Sequence, residues 1–417
     1  MLPSQAVASG ELCYLLNKDL SAPQWFQTIG ADAHPLPVVG SLPVYMNGNF
    51  YCDGSSKGTE TYSNTEGSTT DPHQFSTEDV LCNVCLKNGR EPALTDGVYQ
   101  IGTIGNLVWF ANAVNAGSVT SNGALTADIA QGRAIYTPIG NTSNVYRGNF
   151  DGQRHSVTLN LTDTGEDYQG IFGVVTDGVR ISNLIAKGTV TGHSFVGGIV
   201  GGTNGGSGNA LHTTLENCGN EAVVSASGVN AGGMIGVNMG GSASFIFNNC
   251  YNIGAINGNE SGALSGWSGG GWSVFRNCYN AAKVNGGSSA DFSRNSGTHF
   301  DNCYYVEGCN NASRDEVGNL WHVTATQLAN GELRNLLNKV IINGTRWIQE
   351  SNQPYPRPFG RLGDVNGDGE VTSADVTTLV NVILGKLTTS EAADVNRDGY
   401  VTIADVTILV NLILNKS

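Results

Sequence analysis

Between about Gly170 and Tyr305, short apolar pairs are set between glycines, and the phrase returns four times. It reads Gly170-Ile171-Phe172-Gly173, Gly197-Gly198-Ile199-Val200-Gly201, Gly232-Gly233-Met234-Ile235-Gly236 and Gly262-Ala263-Leu264-Ser265-Gly266. The last three are followed in turn by Asn217-Cys218, Asn249-Cys250-Tyr251-Asn252 and Asn277-Cys278-Tyr279-Asn280, and Asn302-Cys303-Tyr304 closes the series. The cysteines step by 32, 28 and 25 residues, a period that belongs to stacked repeats rather than to one globular sheet. Apolar pairs between glycines predict short buried strands where neighbouring backbones come close. Asparagine predicts a left-handed corner and a side-chain ladder, and cysteine a small apolar filler stacked on its equivalent above. A disulfide between Cys303 and Cys309 is the alternative use of a sulfur in this region.

The flanks carry different patterns. Val98–Ile101 reads as a strand, and Thr103 caps a helix with Ile104, Leu107, Val108, Ala111 and Val114 on one face, ended by Gly117. Such a helix would plug the first turn of the stack and hide its open edge. Phe150 to Val157 reads as a turn feeding the alternating strand Val157–Leu161; Asp151 is assigned to bonding its own backbone there, not to catalysis with Arg154 and His155. The stretch Gly10 to Lys18 is matched by Gly331 to Lys339, 321 residues later, and Trp25-Phe26-Gln27 by Trp347-Ile348-Gln349. Each copy predicts a short amphipathic helix, through Leu12, Leu15 and Leu16 or Leu333, Leu336 and Leu337, followed by an extended arm that covers an end of the core.

Composition narrows the class. Charged residues are 13% and glycines 57 of 417, suited to tight turns and uncharged ladders. A net charge of −14 argues against a nucleic-acid surface, which needs clustered Lys and Arg. No apolar run approaches the roughly 18 residues of a membrane span. The opening MLPSQAVASGEL lacks the basic start and apolar core of a signal peptide, so an export signal is expected upstream or already removed, and the chain is expected to be a fragment.

Two sets of residues carry candidate chemistry. Residues 46–92 are polar, turn-rich and nearly core-free, and hold Cys52, His73, Cys82 and Cys85. A segment without a core needs a staple. A Cys-x2-Cys with a distant Cys and His has the ligand types of a tetrahedral zinc site; a disulfide of Cys52 with Cys82 or Cys85 is the other reading. Near the C-terminus, Asp364, Asn366, Asp368, Gly369, Glu370, Thr372 and Asp375 recur 30 residues on as Asp394, Asn396, Asp398, Gly399, Tyr400, Thr402 and Asp405. Oxygen ligands at loop positions 1, 3, 5, 9 and 12, with glycine at 6 and a backbone carbonyl at 7, make a calcium loop of EF-hand type, so two calcium ions are expected. Each loop runs into an apolar helix, Val376 to Leu384 or Val406 to Leu414, with no helix before it.

The repeat phrases resemble the GLUG-motif repeats of bacterial surface proteins over roughly residues 93–324. That resemblance implies a mainly β fold, a right-handed parallel β-helix, in an exported adhesin-like or stalk protein. The duplicated loop-helix pattern from Asp364 to Leu414 resembles a type I dockerin, the module that docks enzymes or surface proteins onto cohesins. Dockerins usually carry small hydroxyl pairs at loop positions 10 and 11; here Ser373-Ala374 and Ile403-Ala404 stand there, with Asn381 and Asn411 on the helices. The resulting organisation is an end-piece of an upstream unit (1–45), a Cys/His-rich segment (46–92), a GLUG-type β-helix (93–324), a closing helix and arm (325–362) and a small α-helical calcium module (363–417). The expected function is non-enzymatic: a secreted or surface body with a cohesin or another surface protein as partner of the tail, and a glycan or host protein on the β-helix, where Trp267 and Trp272 are candidate contacts. A polysaccharide lyase or glycosidase of a carbohydrate-degrading assembly is the rival, and a purely structural spacer the other alternative; paired carboxylates about 5–9.5 Å apart are not evident among Glu216, Glu221, Glu260 and Asp291.

Overall fold

The structure, a computed structural model, describes residues 3–37, 40–58, 60–162, 165–176, 178–203, 212–239, 245–268, 273–290, 292–294, 298–309, 319–349, 354–361, 363–366, 371–387, 391–396 and 400–414. It divides into two units, Met1–Arg90 and Glu91–Ser417.

The first unit opens with two short helices, α1 (Ser4–Ala8) and α2 (Glu11–Asn17), hinged on Gly10 at φ 91°. Strand Tyr45–Asn47 pairs antiparallel with Thr61–Ser63, and Asn49–Phe50 pairs parallel with Thr69–Thr70. The sequence suggests a break after residue 45, but Asn64 bridges it: its amide donates to the carbonyls of Gln27 (2.7 Å) and Pro43 (3.0 Å) and its oxygen accepts from the Ile29 N–H (2.8 Å). Among the described residues only six apolar side chains are buried in this unit, Ala6, Cys13, Val44, Leu81, Cys82 and Cys85, too few to hold 90 residues by themselves.

The second unit is a parallel β-solenoid. Its longest ladders are an eleven-stranded and a nine-stranded sheet, with two four-stranded sheets completing the turns. In register, Leu215, Phe247, Phe275 and Phe300 stack rung on rung, with ring centroids 4.5 Å apart for Phe247–Phe275 and 5.6 Å for Phe275–Phe300. Cys218, Cys250, Cys278 and Cys303 form the expected buried column, and none of the nine cysteines forms a disulfide. Cys303 and Cys309 are therefore unlinked. Each column thiol donates to a carbonyl of the neighbouring rung, as Cys250 does to Leu215 (3.4 Å), so the sulfur also satisfies buried polar backbone.

Asparagines turn the corners. Asn183, Asn217, Asn249, Asn277 and Asn302 all sit at φ between 52° and 54°, or at 56° for Asn277, the left-handed region this residue tolerates. Their amides form an unbroken chain: Asn217 donates to Asn183 (3.0 Å), Asn249 to Asn217 (3.0 Å), Asn277 to Asn249 (2.8 Å) and Asn302 to Asn277 (2.7 Å). A second buried ladder runs from Asn220 through Asn252 to Asn280. The repeated glycines stand where rungs touch: a Cβ on Gly233 would overlap the Ala263 carbonyl, which accepts the Gly233 N–H at 2.9 Å.

Helix α3 (Ile104–Asn115) begins as expected, the Thr103 hydroxyl accepting the Asn106 N–H. It buries Ile104, Leu107, Val108, Phe110, Ala111 and Val114, and Phe110 meets Tyr146 and Phe150 edge-on. The ladder beside it ends in Ala93–Thr95, the antiparallel edge strand of Val98–Ile101. Asp151 accepts the Gln153 N–H at 2.9 Å, the turn role predicted for it.

The closing segment contains α4 (Ala325–Ala329), capped by a reciprocal Thr324–Gln327 box, and α5 (Glu332–Leu337). Its apolar cluster takes in Val306, Cys309 and Val323 of the last rungs and continues along the flank. It lies along the side: Thr345 bonds Asn217, and Asn249, Asn277 and Asn302 donate to the carbonyls of Ile342, Val340 and Leu336. Leu333, Leu337 and Trp347 pack on Tyr251, Tyr279 and Tyr304 of successive rungs. The reason is the ladder itself, whose flank presents a strip of tyrosine rings and asparagine amides that needs both apolar cover and acceptors. The N-terminal twin repeats the local design. Asn17 clamps the Trp25 backbone (2.7 and 3.0 Å) as Asn338 clamps Trp347 (2.8 and 2.8 Å).

Last come α6 (Ser373–Ile383) and α7 (Ile403–Leu414), packed through Val365, Val371, Leu379, Val382, Ala393, Val395 and Leu409. No helix among the described residues is long and apolar enough to cross a membrane.

Candidate metal centres

Cys52, His73, Cys82 and Cys85 come from three separated stretches, yet one ligand atom of each lies within 4.8 Å of all the others. Backbone bonds bring them there. The Cys82 N–H donates to Asn88 (2.8 Å) and the Leu86 N–H to Cys82 (3.2 Å), closing a tight turn around the Cys-x2-Cys. The Asn83 N–H donates to Gln74 (2.8 Å), which lays the extended segment of His73 alongside, and the Asp71 N–H donates to Phe50 (3.0 Å), which brings in Cys52. Sγ of Cys52 and Cys82 are 3.5 Å apart, and Cys85 Sγ is 3.6 Å from His73 Nδ1. Val80 (φ 49°) and Leu86 (φ 57°) bracket the turn in the left-handed region, a strain of about 1–3 kcal/mol each that only a firmly held surrounding sustains.

The electrostatics are uneven. Burial pushes the Cys82 thiol up, but the amides of Cys85 and Val84, with His73 and Cys52, outweigh it and bring it down to about 6. Burial and the neighbouring Cys82 push Cys52 up to about 11. One thiolate is thus favoured in the free cluster, on the cysteine with backbone N–H groups aimed at its sulfur.

In the C-terminal loops, Asp375 and Asp405 are fully buried. Asp375 Oδ1 accepts the N–H groups of Val365 (2.7 Å) and Asn366 (3.1 Å), and its Oδ2 accepts Thr372 (2.8 Å). Asp405 does the same to Val395 (2.8 Å), Asn396 (3.0 Å) and Thr402 (2.8 Å). The twelfth residue of each loop is thereby drawn against its second and third, and Thr372, which also caps α6, joins the ninth position to it. Burial raises the Asp405 carboxyl, but the three amides outweigh it and hold it below the usual carboxylate range. Asp364 is buried and Asn366 exposed at the start of the first loop. Asp368, Glu370 and Asp398 lie outside the described residues. Tyr400 is 73% exposed, in keeping with a loop position that uses its carbonyl and not its side chain. Hard carboxylate and amide oxygens gathered on one short loop are a donor set for a hard divalent cation.

Residues 362–414 match the family model of the type I dockerin domain. Type I dockerin domains bind calcium. No curated protein matches the chain. Among solved structures, the crystal structure of a candidate immunoglobulin A1 protease from Bacteroides ovatus aligns at 20% identity and a TM-score of 0.46, covering 64% of this chain and 94% of that one. A likeness of that degree decides nothing about function here.

On the dockerin module, Ser373, Ala374, Ile403 and Ala404 are all exposed at the starts of the two helices, Ile403 at 71%. Elsewhere, the carboxylates weighed for an enzyme carry cations: Glu216 meets Arg180 (2.7 Å), Glu221 meets Arg357 (2.7 Å) and the Tyr251 hydroxyl, and Glu260 meets Arg294. Asp291 and Trp272 lie outside the described residues, and Trp267 is half-buried. Sequence reasoning missed Asp167, His193 and Ser194, which the solenoid brings together. His193 Nδ1 is 2.9 Å from Asp167 and 3.3 Å from the Ser194 hydroxyl. Both bonds fall on the same ring nitrogen, so the group lacks the two-sided relay of a hydrolytic triad.

Proposed function

We propose that this chain is a non-enzymatic, secreted or cell-surface bacterial protein in which the solenoid is a rigid adhesive or stalk body and the dockerin module attaches it to a cohesin. One observation carries the reading. Of the twenty exposed large apolar side chains among the described residues, nine fall within residues 371–414, including Leu384, Leu387, Ile403 and Leu414. So many exposed apolar side chains on so short a stretch support a role as a protein interface. Two calcium ions are assigned to it. The first takes Asp364, Asn366, Asp368, Thr372 and Asp375 with the Glu370 carbonyl; the second takes Asp394, Asn396, Asp398, Thr402 and Asp405 with the Tyr400 carbonyl. Clustered carboxylates repel until the cation arrives, so calcium makes the helix-bearing face rigid enough to dock. Ser373-Ala374 and Ile403-Ala404 select the partner, and the apolar Ile403 asks for an apolar pocket on it. The likeness of the repeats to GLUG-motif surface proteins supports a glycan or a host protein as ligand of the solenoid.

The test is binding of the full chain to a panel of type I cohesins, followed by calorimetry with calcium and again with chelator. Binding to at least one cohesin that vanishes on chelation is the expected result. A calcium-loaded module that binds none of them overturns the docking role.

A further inference from the structure

We infer that Cys52, His73, Cys82 and Cys85 form a closed tetrahedral zinc site that holds the first unit together, separate from the calcium loops of the dockerin module.

The donor geometry carries this. Zinc binds thiolate at about 2.3 Å and imidazole at about 2.0–2.1 Å, so a tetrahedron of such ligands has edges of about 3.8 Å between sulfurs and about 3.6 Å between sulfur and nitrogen. The Cys52–Cys82 and Cys85–His73 separations, 3.5 and 3.6 Å, are edges of that figure. Three thiolates and one imidazole are soft and borderline donors, which select zinc over the hard cations of the carboxylate loops. Four protein ligands leave no position for water or substrate, so the role is structural rather than catalytic.

The surroundings agree. N–H groups of Val84 and Cys85 aim at the Cys82 sulfur, and the Asn88 side-chain amide donates to Cys85 Sγ at 3.4 Å; donors of this kind offset thiolate charge and orient metal ligands. Three of the unit's six buried apolar side chains, Leu81, Cys82 and Cys85, belong to the turn that carries the site, so the site stands where a larger domain would have a core. A disulfide between Cys52 and Cys82 would employ two of the four donors and leave Cys85 and His73 facing each other without purpose.

The experiment uses the full chain, expressed in zinc-supplemented medium and purified without chelator. Metal analysis should find about one zinc per chain, retained when calcium is removed with a calcium-selective chelator and released by a mercurial thiol reagent. Cys85→Ser should reduce zinc below roughly a tenth of that stoichiometry and speed hydrogen exchange across residues 40–90 while leaving the solenoid unchanged. Should that variant not accumulate as folded protein, zinc-stripped wild type reduced and titrated with cobalt(II) should develop the visible bands of a tetrahedral thiolate site. Wild-type chain without zinc whose reduced form yields no such bands overturns the proposal, as does a Cys52–Cys82 disulfide found by intact mass analysis in metal-free, folded protein.

Discussion

Replacing Asp405 by Asn changes one oxygen for an NH2 at a fully buried carboxylate that accepts three amide N–H groups. The remaining oxygen keeps Val395 and Asn396, whereas the new NH2 faces the Thr402 N–H, donor to donor. One buried donor left without an acceptor costs about 1–3 kcal/mol, and two bonds reduced from charged to neutral acceptors lose about 1 kcal/mol each, for a sum of about 3–5 kcal/mol. The module's own core, seven buried apolar side chains among the described residues, supplies no more than about 3–5 kcal/mol. The variant's module is therefore expected to be unfolded without calcium and only partly rescued by it, since the proposed ligand set loses a member as well. Hydrogen exchange read by peptide mass spectrometry on the full chain is the assay, with calcium titration calorimetry beside it. Peptides from 363–387 and 391–414 should lose protection without calcium, with 391–414 the last to recover when it is added, the second calcium event should disappear, and the solenoid peptides should not change. The duplicated Asp375→Asn is the internal control and should behave alike at 363–387. Wild-type protection and an unaltered calcium isotherm in both variants would refute the role given to these carboxylates.

Two further outcomes test the solenoid. Gly233→Ala places a Cβ 2.6 Å from Asn252 Oδ1 and against the Ala263 carbonyl, so it should destabilise neighbouring rungs by about 2–4 kcal/mol through crowding and a lost ladder bond. Gly287→Ala meets only the Asn259 side chain and should be near neutral; equal urea midpoints for the two variants would contradict the close-approach reading. Burial, then the neighbouring Cys303, pushes the Tyr304 hydroxyl up to about 12, and burial raises Tyr251 and Tyr279 well above the ordinary phenol. With folded values above unfolded ones, the stability these groups contribute is intact below about pH 10 and declines as pH rises through the folded values. Phenolate absorbance should therefore lag at pH 10 and appear together with loss of near-ultraviolet dichroism; complete ionisation of a still-folded solenoid near pH 10 would oppose it.

Much of the fold was legible because its rules are local. Glycine at the rung contacts, Asn217, Asn249, Asn277 and Asn302 at left-handed corners and cysteine in a buried column each follow from the residue's own conformational and steric properties, repeated until they stack. Thr103 and the apolar face of α3 follow from capping and a 3.6-residue period. The side position of the closing segment was not legible, because Leu333, Leu337 and Trp347 read as an apolar face in any setting. Which surface they cover depends on the tyrosine strip that the stacked rungs assemble. His193 and Asp167 escaped notice for the same reason, since 26 residues separate partners that one turn of the solenoid makes adjacent.

By itself, the amino-acid order determined that the chain stacks repeats, that a carboxylate-rich loop-helix pattern is duplicated over residues 364–414, and that four metal-competent side chains sit in a nearly core-free stretch. Each of these is written in composition, spacing or residue chemistry, which require no knowledge of long-range contacts. Only the tertiary structure decided that those four side chains meet within the compass of one ion, that residues 3–90 share one unit, and that the buried twelfth carboxylates close both loops through backbone N–H groups. Those facts depend on how separated segments are laid against one another, and that is decided by the sum of many weak contacts over the folded chain.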